Sequence, residues 1–250
     1  MRPVTFVRVI CGTLGPGIRY AFTDRNGGHS SAPYDSCNLS GRVGDDPDRV
    51  AANRRSIAGQ LGLDPDSVTF LHQVHGNDVV VADGPWPDAD PQADAMITGR
   101  PGLALAVLVA DCSPVLVADP HARLIGAAHA GRPGLAAGVV PALLTRLREL
   151  GATLEHAVAA IGPSVCGGCY EVPVAMQAEV AAVAPAAAAL TRHGTPSLDI
   201  ASGVAAQLRV GGVATVTRFP VCTMESADHF SHRREGAPSG RAAGYVWLEP

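Results

Sequence analysis

The stretch "GLALAVLVADCSPVLVADP", residues 102–120, decides how the chain is built. Two near-continuous apolar runs are interrupted by one polar pair, Asp111-Cys112, which is the pattern of strands buried on both faces. A third run, "RLIGAAHAG" at 123–131, ends in His129 and a glycine. Upstream, "GDDPDRVAANRRSIAGQLGL" predicts a helix, with Asp46 as its cap, Pro47 in the first turn and Gly62 as its stop. Between them "SVTFLHQVHGNDVVVADG" is rich in β-branched residues around the turn chemistry of "GND", and reads as strand, turn, strand. Residues 84–94, "GPWPDADPQAD", form a Pro/Asp loop long enough to act as a lid or flap.

Composition narrows the function. A chain of 250 residues with 47% hydrophobic and 17% charged content fits one large domain or two small ones with an ample core. The net charge of −4, without a basic cluster, argues against a nucleic-acid partner and for a small ligand. All 19 residues counted as Lys or Arg are arginines, so a Walker lysine, a Schiff-base lysine and a pyridoxal anchor are excluded. Arg8 and Gly12 interrupt the N-terminal apolar run, and no run approaches the ~20 residues of a membrane span. The expected address is cytoplasmic, where the six cysteines are mostly reduced.

The candidate chemistry lies at strand ends. His72 and His75 would share a helix face, but on a strand they point opposite ways, so at most one belongs to a site. Cys112 and His129, taken singly, read as packing or strand-end residues. Together, one Cys and two His from separate strand ends match the three protein ligands of catalytic zinc, and match a Cys-His nucleophile pair equally well. Asp111, next to Cys112, faces away on a regular strand and is not assigned as a base. Arg54 sits within the apolar stripe of Val50, Ile57, Ala58 and Leu61, and must either find an anion or stretch to water. "CGGC", Cys166 to Cys169, reads as a pair of turn residues: no thioredoxin pattern surrounds it, and a zinc knuckle needs a second pair where Cys11, Cys37 and Cys222 are scattered singly.

In order along the chain, "PYDSCNLS", "LHQVHGNDV", "DAMIT", "VADCSPVLVADP", "AAHAG", "AIGPSVCGGCYEV" and "HFSHRREGAPSGRAAGYVWL" resemble the laccase-domain, or polyphenol oxidase, family of purine nucleoside enzymes, some members of which are labelled peptidoglycan editing factors. The resemblance runs from about Thr23 to the C-terminus. It implies an α+β fold (an α/β sandwich) over a single domain, 1–250, with mixed β-sheets flanked by helices and a metal site at strand ends. It also implies that His75, Cys112 and His129 are the metal ligands and catalytic residues, leaving His72 outside. Zinc is the expected metal, with copper possible. The implied activities are phosphorolysis of adenosine, inosine and methylthioadenosine, and deamination of adenosine. Asn38, Arg54, Arg132, Arg233 and Arg234 are the residues expected to bind substrate or phosphate, and Arg241 falls in the same closing motif. Where the family reads "AHAGWRG" this chain reads "AHAGRPG", so Arg132 takes the tryptophan position and Pro133 the arginine position. The expected partners are a nucleoside and phosphate, with no nucleic acid and no membrane, in a monomer or weak homodimer. The alternatives are a metal-free Cys-His hydrolase or peptidoglycan-precursor editing enzyme, a copper-dependent polyphenol oxidase, and a non-enzymatic nucleoside-binding protein. Against the oxidase, the nine histidines include no His-x-His pair.

Overall fold

The chain passes repeatedly between two sheets, and the crossings are what place the site. A computed structural model describes residues 9–250; Arg8, one of the two interruptions of the N-terminal apolar run, lies outside the described residues. In chain order the strands are β1 (Val9–Gly15), β2 (Ile18–Thr23), β3 (Val68–Thr69), β4 (Val79–Val81), β5 (Ala95–Thr98), β6 (Ala104–Val109), β7 (Ser113–Asp119), β8 (Leu124–Ala130), β9 (Val158–Ile161), β10 (Ala188–Leu190), β11 (Pro196–Leu198), β12 (Thr215–Arg218) and β13 (Ala242–Leu248). The helices are α1 (Pro47–Leu61), α2 (Arg132–Ala137), α3 (Val139–Glu149), α4 (Val174–Val183), α5 (Ile200–Val210) and α6 (His232–Glu235). One sheet has the order β1-β2-β13-β6-β3, a second β12-β9-β7-β8-β5-β4, and β10 and β11 form a separate ribbon. The architecture is α+β, with mixed parallel and antiparallel pairing.

Side-chain alternation sorts these strands into four layers. Leu105 and Val107 of β6, Leu116 and Ala118 of β7, Ile125 and Ala127 of β8, and Val246 and Leu248 of β13 pack together between the sheets. The opposite face of the first sheet presents Ala104, Ala106, Tyr245 and Trp247 to Ile57 of α1. The opposite face of the second presents Val115, Val117 and Ala128 to Leu143, Leu144 and Leu147 of α3 and Val204 and Leu208 of α5. Both faces of β6 and β7 are covered in an α/β/β/α stack, which is why residues 102–120 are apolar almost throughout although β7 pairs antiparallel to both its neighbours.

Helix α1 begins and ends where its sequence signals place it, with Asp46 accepting from the Asp48 N–H and Gly62 left-handed at φ 71°. The strand-turn-strand reading of residues 67–84 matches the order of the elements. β3 joins the first sheet and β4 the second, so the segment between them is a crossing.

Asp119 closes the connection after β7. Its carboxylate accepts from the N–H groups of His121 at 2.9 Å, Ala122 at 3.2 Å and Thr153 at 2.7 Å. Burial alone would raise its pKa, but these N–H groups hold it below the ordinary carboxylate value. The stabilisation is therefore complete above that ordinary value and is lost as pH falls through the lower folded one. Asp119→Ala is expected to cost about 1–3 kcal/mol at neutral pH. Urea unfolding measures this, and the gap to wild type should narrow in acid.

Candidate metal centre

Two of the three clustered residues sit where the chain changes sheets. Cys112 lies between β6 of one sheet and β7 of the other, and His75 between β3 and β4, which are divided in the same way. Both crossings use left-handed backbone at a residue other than glycine, His75 at φ 61° and Asp111 at φ 84°, a conformation that costs about 1 kcal/mol or more and is held by its surroundings. For His75 the surroundings are visible: the N–H groups on either side, of Val74 and Gly76, donate to Asp94 Oδ2 at 3.0 and 2.6 Å. His129 is the next-to-last residue of β8 and follows Ile125 and Ala127 along the inter-sheet face. His72 bridges to Gln92 instead and does not join the cluster. The separation of the two histidines thus arises from the turn at His75, not from alternation along one strand.

The ligand atoms of His75, Cys112 and His129 lie within 4.8 Å of one another. The Cys112 Sγ is 3.9 Å from His75 Nε2, and the two imidazoles meet edge to face with centroids 4.7 Å apart. His129 Nδ1 is 2.8 Å from Asp94 Oδ1, which leaves Nε2 for the cluster and fixes the ring. Gly131 makes room: a Cβ there would lie 2.8 Å from His75 Cδ2 and 2.9 Å from Cys112 Sγ. Burial would push the Cys112 thiol up, but the neighbouring His129 and His75 bring it down to about 6. Burial would likewise lower His129, but the Cys112 thiolate and Asp94 lift it to about 9. A negative sulfur between two imidazoles is a donor set for a borderline metal.

Two cavities meet at this cluster. The larger, about 460 Å³, is lined by His75, Asp111, Cys112, Arg132, Tyr170 and Arg233 among others. The smaller, about 330 Å³, includes Arg42, Gln73, His75, Cys112, His129 and Arg241. His232, at the start of α6, lines both. Asp111 is already engaged, accepting from Thr223 Oγ1 at 2.6 Å and from the Arg233 N–H at 2.7 Å. It is not a free base, although its backbone is a turn and not the regular strand the sequence suggested.

Of the five residues expected to bind substrate or phosphate, Arg132 and Arg233 line the larger cavity, and Arg233 stacks over the Tyr170 ring at 4.9 Å. Three are placed elsewhere. Asn38 is fully buried with every hydrogen-bonding position used, donating to Ser40 O and Asp45 and accepting from the N–H groups of Ser40 and Arg241. Arg234 ties together the carbonyls of Thr223, Met224, Ser226 and His229. Arg54 lies over the Phe70 ring at 3.9 Å, donates to Leu39 O, and lines a separate cavity shared with Asp88 and Asp90, a poor setting for an anion. The anion expectation for Arg54 gives way to a stacked, half-buried side chain on the first sheet. Sequence reasoning missed Asp94, Arg42 and His232. Asp94 carried a readable signal, the last acid of the Pro/Asp loop and immediately before the apolar strand "AMIT"; Arg42, in a loop, and His232, opening the short helix α6, are unremarkable in sequence until the fold places them. It also left Cys222 isolated, whereas the structure groups it with Cys166, Cys169 and Glu225.

Residues 19–249 match the family model described as multi-copper polyphenol oxidoreductase laccase. The chain belongs to that family. Relatives in it include purine nucleoside phosphorylase SCO2081 of Streptomyces coelicolor, 58% identical over 93% of this chain and 96% of that one. Purine nucleoside phosphorylase Rv2149c of Mycobacterium tuberculosis is 45% identical over 95% of each chain. Among solved structures, Neisseria meningitidis NMB0706 superposes with a TM-score of 0.86 at 31% identity, covering 98% of this chain and 100% of that one. YlmD of Geobacillus stearothermophilus gives 0.86 at 29% identity, over 94% and 93%. Among the described residues, no helix is long and apolar enough to cross a membrane.

Proposed function

We propose that this chain is a purine nucleoside phosphorylase acting on adenosine, inosine and methylthioadenosine, with a slower deamination of adenosine, at a centre where His75, Cys112 and His129 hold one zinc ion. The observation that carries the reading is the meeting of two arginine-lined cavities at one Cys/His/His cluster, in a chain whose relatives bear the phosphorylase name. The residues fit the ion: donors converge, Asp94 orients His129, and Gly131 leaves the space a side chain would fill. A second imidazole facing the thiol also favours a metal over a Cys-His nucleophile, which requires only one. When bound, zinc supplies Lewis acidity toward water or a substrate oxygen.

The chain's own residues supply the rest. The larger cavity takes the nucleoside, with its base against Tyr170, Val165 and Ile200. Arg42 and Arg241 in the smaller cavity hold phosphate toward the sugar, and Arg132 replaces the guanidinium that Pro133 removes. A phosphate oxygen bonds to the sugar C1′ as the C1′–N9 bond breaks, and the electron pair leaves with the base, which takes up a proton. His232, lining both cavities, is assigned to deliver that proton. His232→Gln is expected to slow adenine release by about 100-fold with metal content unchanged, as steady-state kinetics and metal analysis together would read. The test of the whole reading is chromatography of products from adenosine. Adenine and ribose 1-phosphate should appear only with phosphate, and a little inosine without it. Absence of all three would overturn the assignment in favour of a hydrolase or a peptidoglycan-editing role.

A further inference from the structure

We propose that Cys166, Cys169, Cys222 and Glu225 form a second metal site, a structural zinc clip on the wall of the larger cavity. The four side chains come from two tight turns of equal spacing, C-x-x-C at 166–169 and C-x-x-E at 222–225. The turns lie side by side: Ser164 and Cys222 form a bridge, with Ser164 N–H donating to Val221 O at 3.2 Å and Thr223 N–H to Ser164 O at 3.2 Å. Within the first turn, Cys169 N–H and Tyr170 N–H both reach Cys166 O at 3.0 Å. In the second, Glu225 N–H reaches Cys222 O at 3.2 Å and Ser226 N–H at 3.0 Å. Paired turns presenting ligands with two residues between them are the geometry of structural zinc sites.

The donor atoms of all four residues lie within 4.8 Å of one another, and a tetrahedral shell with Zn–S near 2.3 Å needs donor separations of about 3.8 Å. A small contraction suffices. Cys169 Sγ already contacts Glu225 Oε1 at 3.3 Å, and Cys222 Sγ accepts from the Cys166 N–H at 3.4 Å. The three thiols are partly buried and unpaired by any disulfide. Arg192 pairs with the Glu225 carboxylate and offsets part of the negative charge that three thiolates and a carboxylate bring to a divalent ion. Burial and mutual crowding hold the Cys166 and Cys169 thiols above their ordinary value; ion binding exchanges S–H for S–Zn bonds, the protons leaving to solvent. Three sulfurs and one oxygen select zinc over the hard cations.

The clip has a structural consequence for the other centre. The turns it joins carry Val165 and Tyr170, which line the larger cavity, and Thr223, whose hydroxyl holds Asp111 beside Cys112. Metal analysis of the reduced full-length protein tests the proposal separately from the catalytic reading. Cys112→Ala should retain one zinc per chain, and its cobalt form should show intense thiolate-to-metal absorption. In the Cys112→Ala background, the double variant Cys166→Ser with Cys169→Ser should lose that ion and that absorption. If the double variant does not fold, the Cys112→Ala protein alone decides the matter. A Cys112→Ala protein free of zinc, rapid alkylation of all three thiols in it, or a disulfide between two of them would overturn the proposal.

Discussion

Cys112→Ala should remove the metal of the catalytic centre and lower phosphate-dependent adenine release by at least about 10³-fold, as loss of a ligand that acts as part of a unit. The substitution deletes the one anionic donor among the three and leaves two imidazoles, of which His129 then loses the thiolate that raises its pKa. The fold itself should survive, because Cys112 sits at a sheet crossing and not within a strand. Metal analysis, circular dichroism and turnover read these three consequences independently. Full activity in a folded Cys112→Ala protein would remove the cluster from the mechanism.

Asp94→Ala carries the second large effect, and it falls on stability as well as on metal. Asp94 is completely buried and accepts from His129 Nδ1 and from the N–H groups that flank His75. One carboxylate thus orients two ligands, one through its ring and the other through its backbone. Removing it leaves the buried His129 Nδ1 and two partly buried backbone N–H groups without their acceptor, and we expect a loss of about 3–5 kcal/mol, the size seen when a buried pair is broken. Zinc affinity should fall about 10–100-fold, the usual cost of deleting the partner that orients a ligating histidine. Chemical denaturation gives the first figure and competition with a chelator the second. A variant of wild-type stability with unchanged zinc affinity would show that the turn at His75 needs no support.

How far the sequence could be read follows from which interactions are local. Helix α1 was legible to the residue because Asp46, Pro47 and Gly62 act within one turn of the helix ends. The runs containing Cys112 and His129 were legible as buried strands because covering both faces of a strand leaves no polar alternation to disguise it. The path between Thr69 and Val79 was not, since a hairpin and a sheet crossing have the same turn chemistry, and only the pairing of distant strands distinguishes them. Arg54 misled for a related reason: its position on the apolar stripe of α1 was right, but the ring of Phe70 that covers it is supplied by another element. Cys222 and Glu225 lie more than fifty residues from Cys166, and nothing local signals that the two turns meet.

The account's central claim, that a metal held by His75, Cys112 and His129 supports phosphorolysis, is tested most directly by the rate of adenine release from adenosine and phosphate in metal-stripped protein before and after zinc is restored. The account predicts loss of adenine release on stripping and its return with zinc in wild type, and no return in Cys112→Ala. Undiminished adenine release from folded, metal-stripped wild type would contradict it.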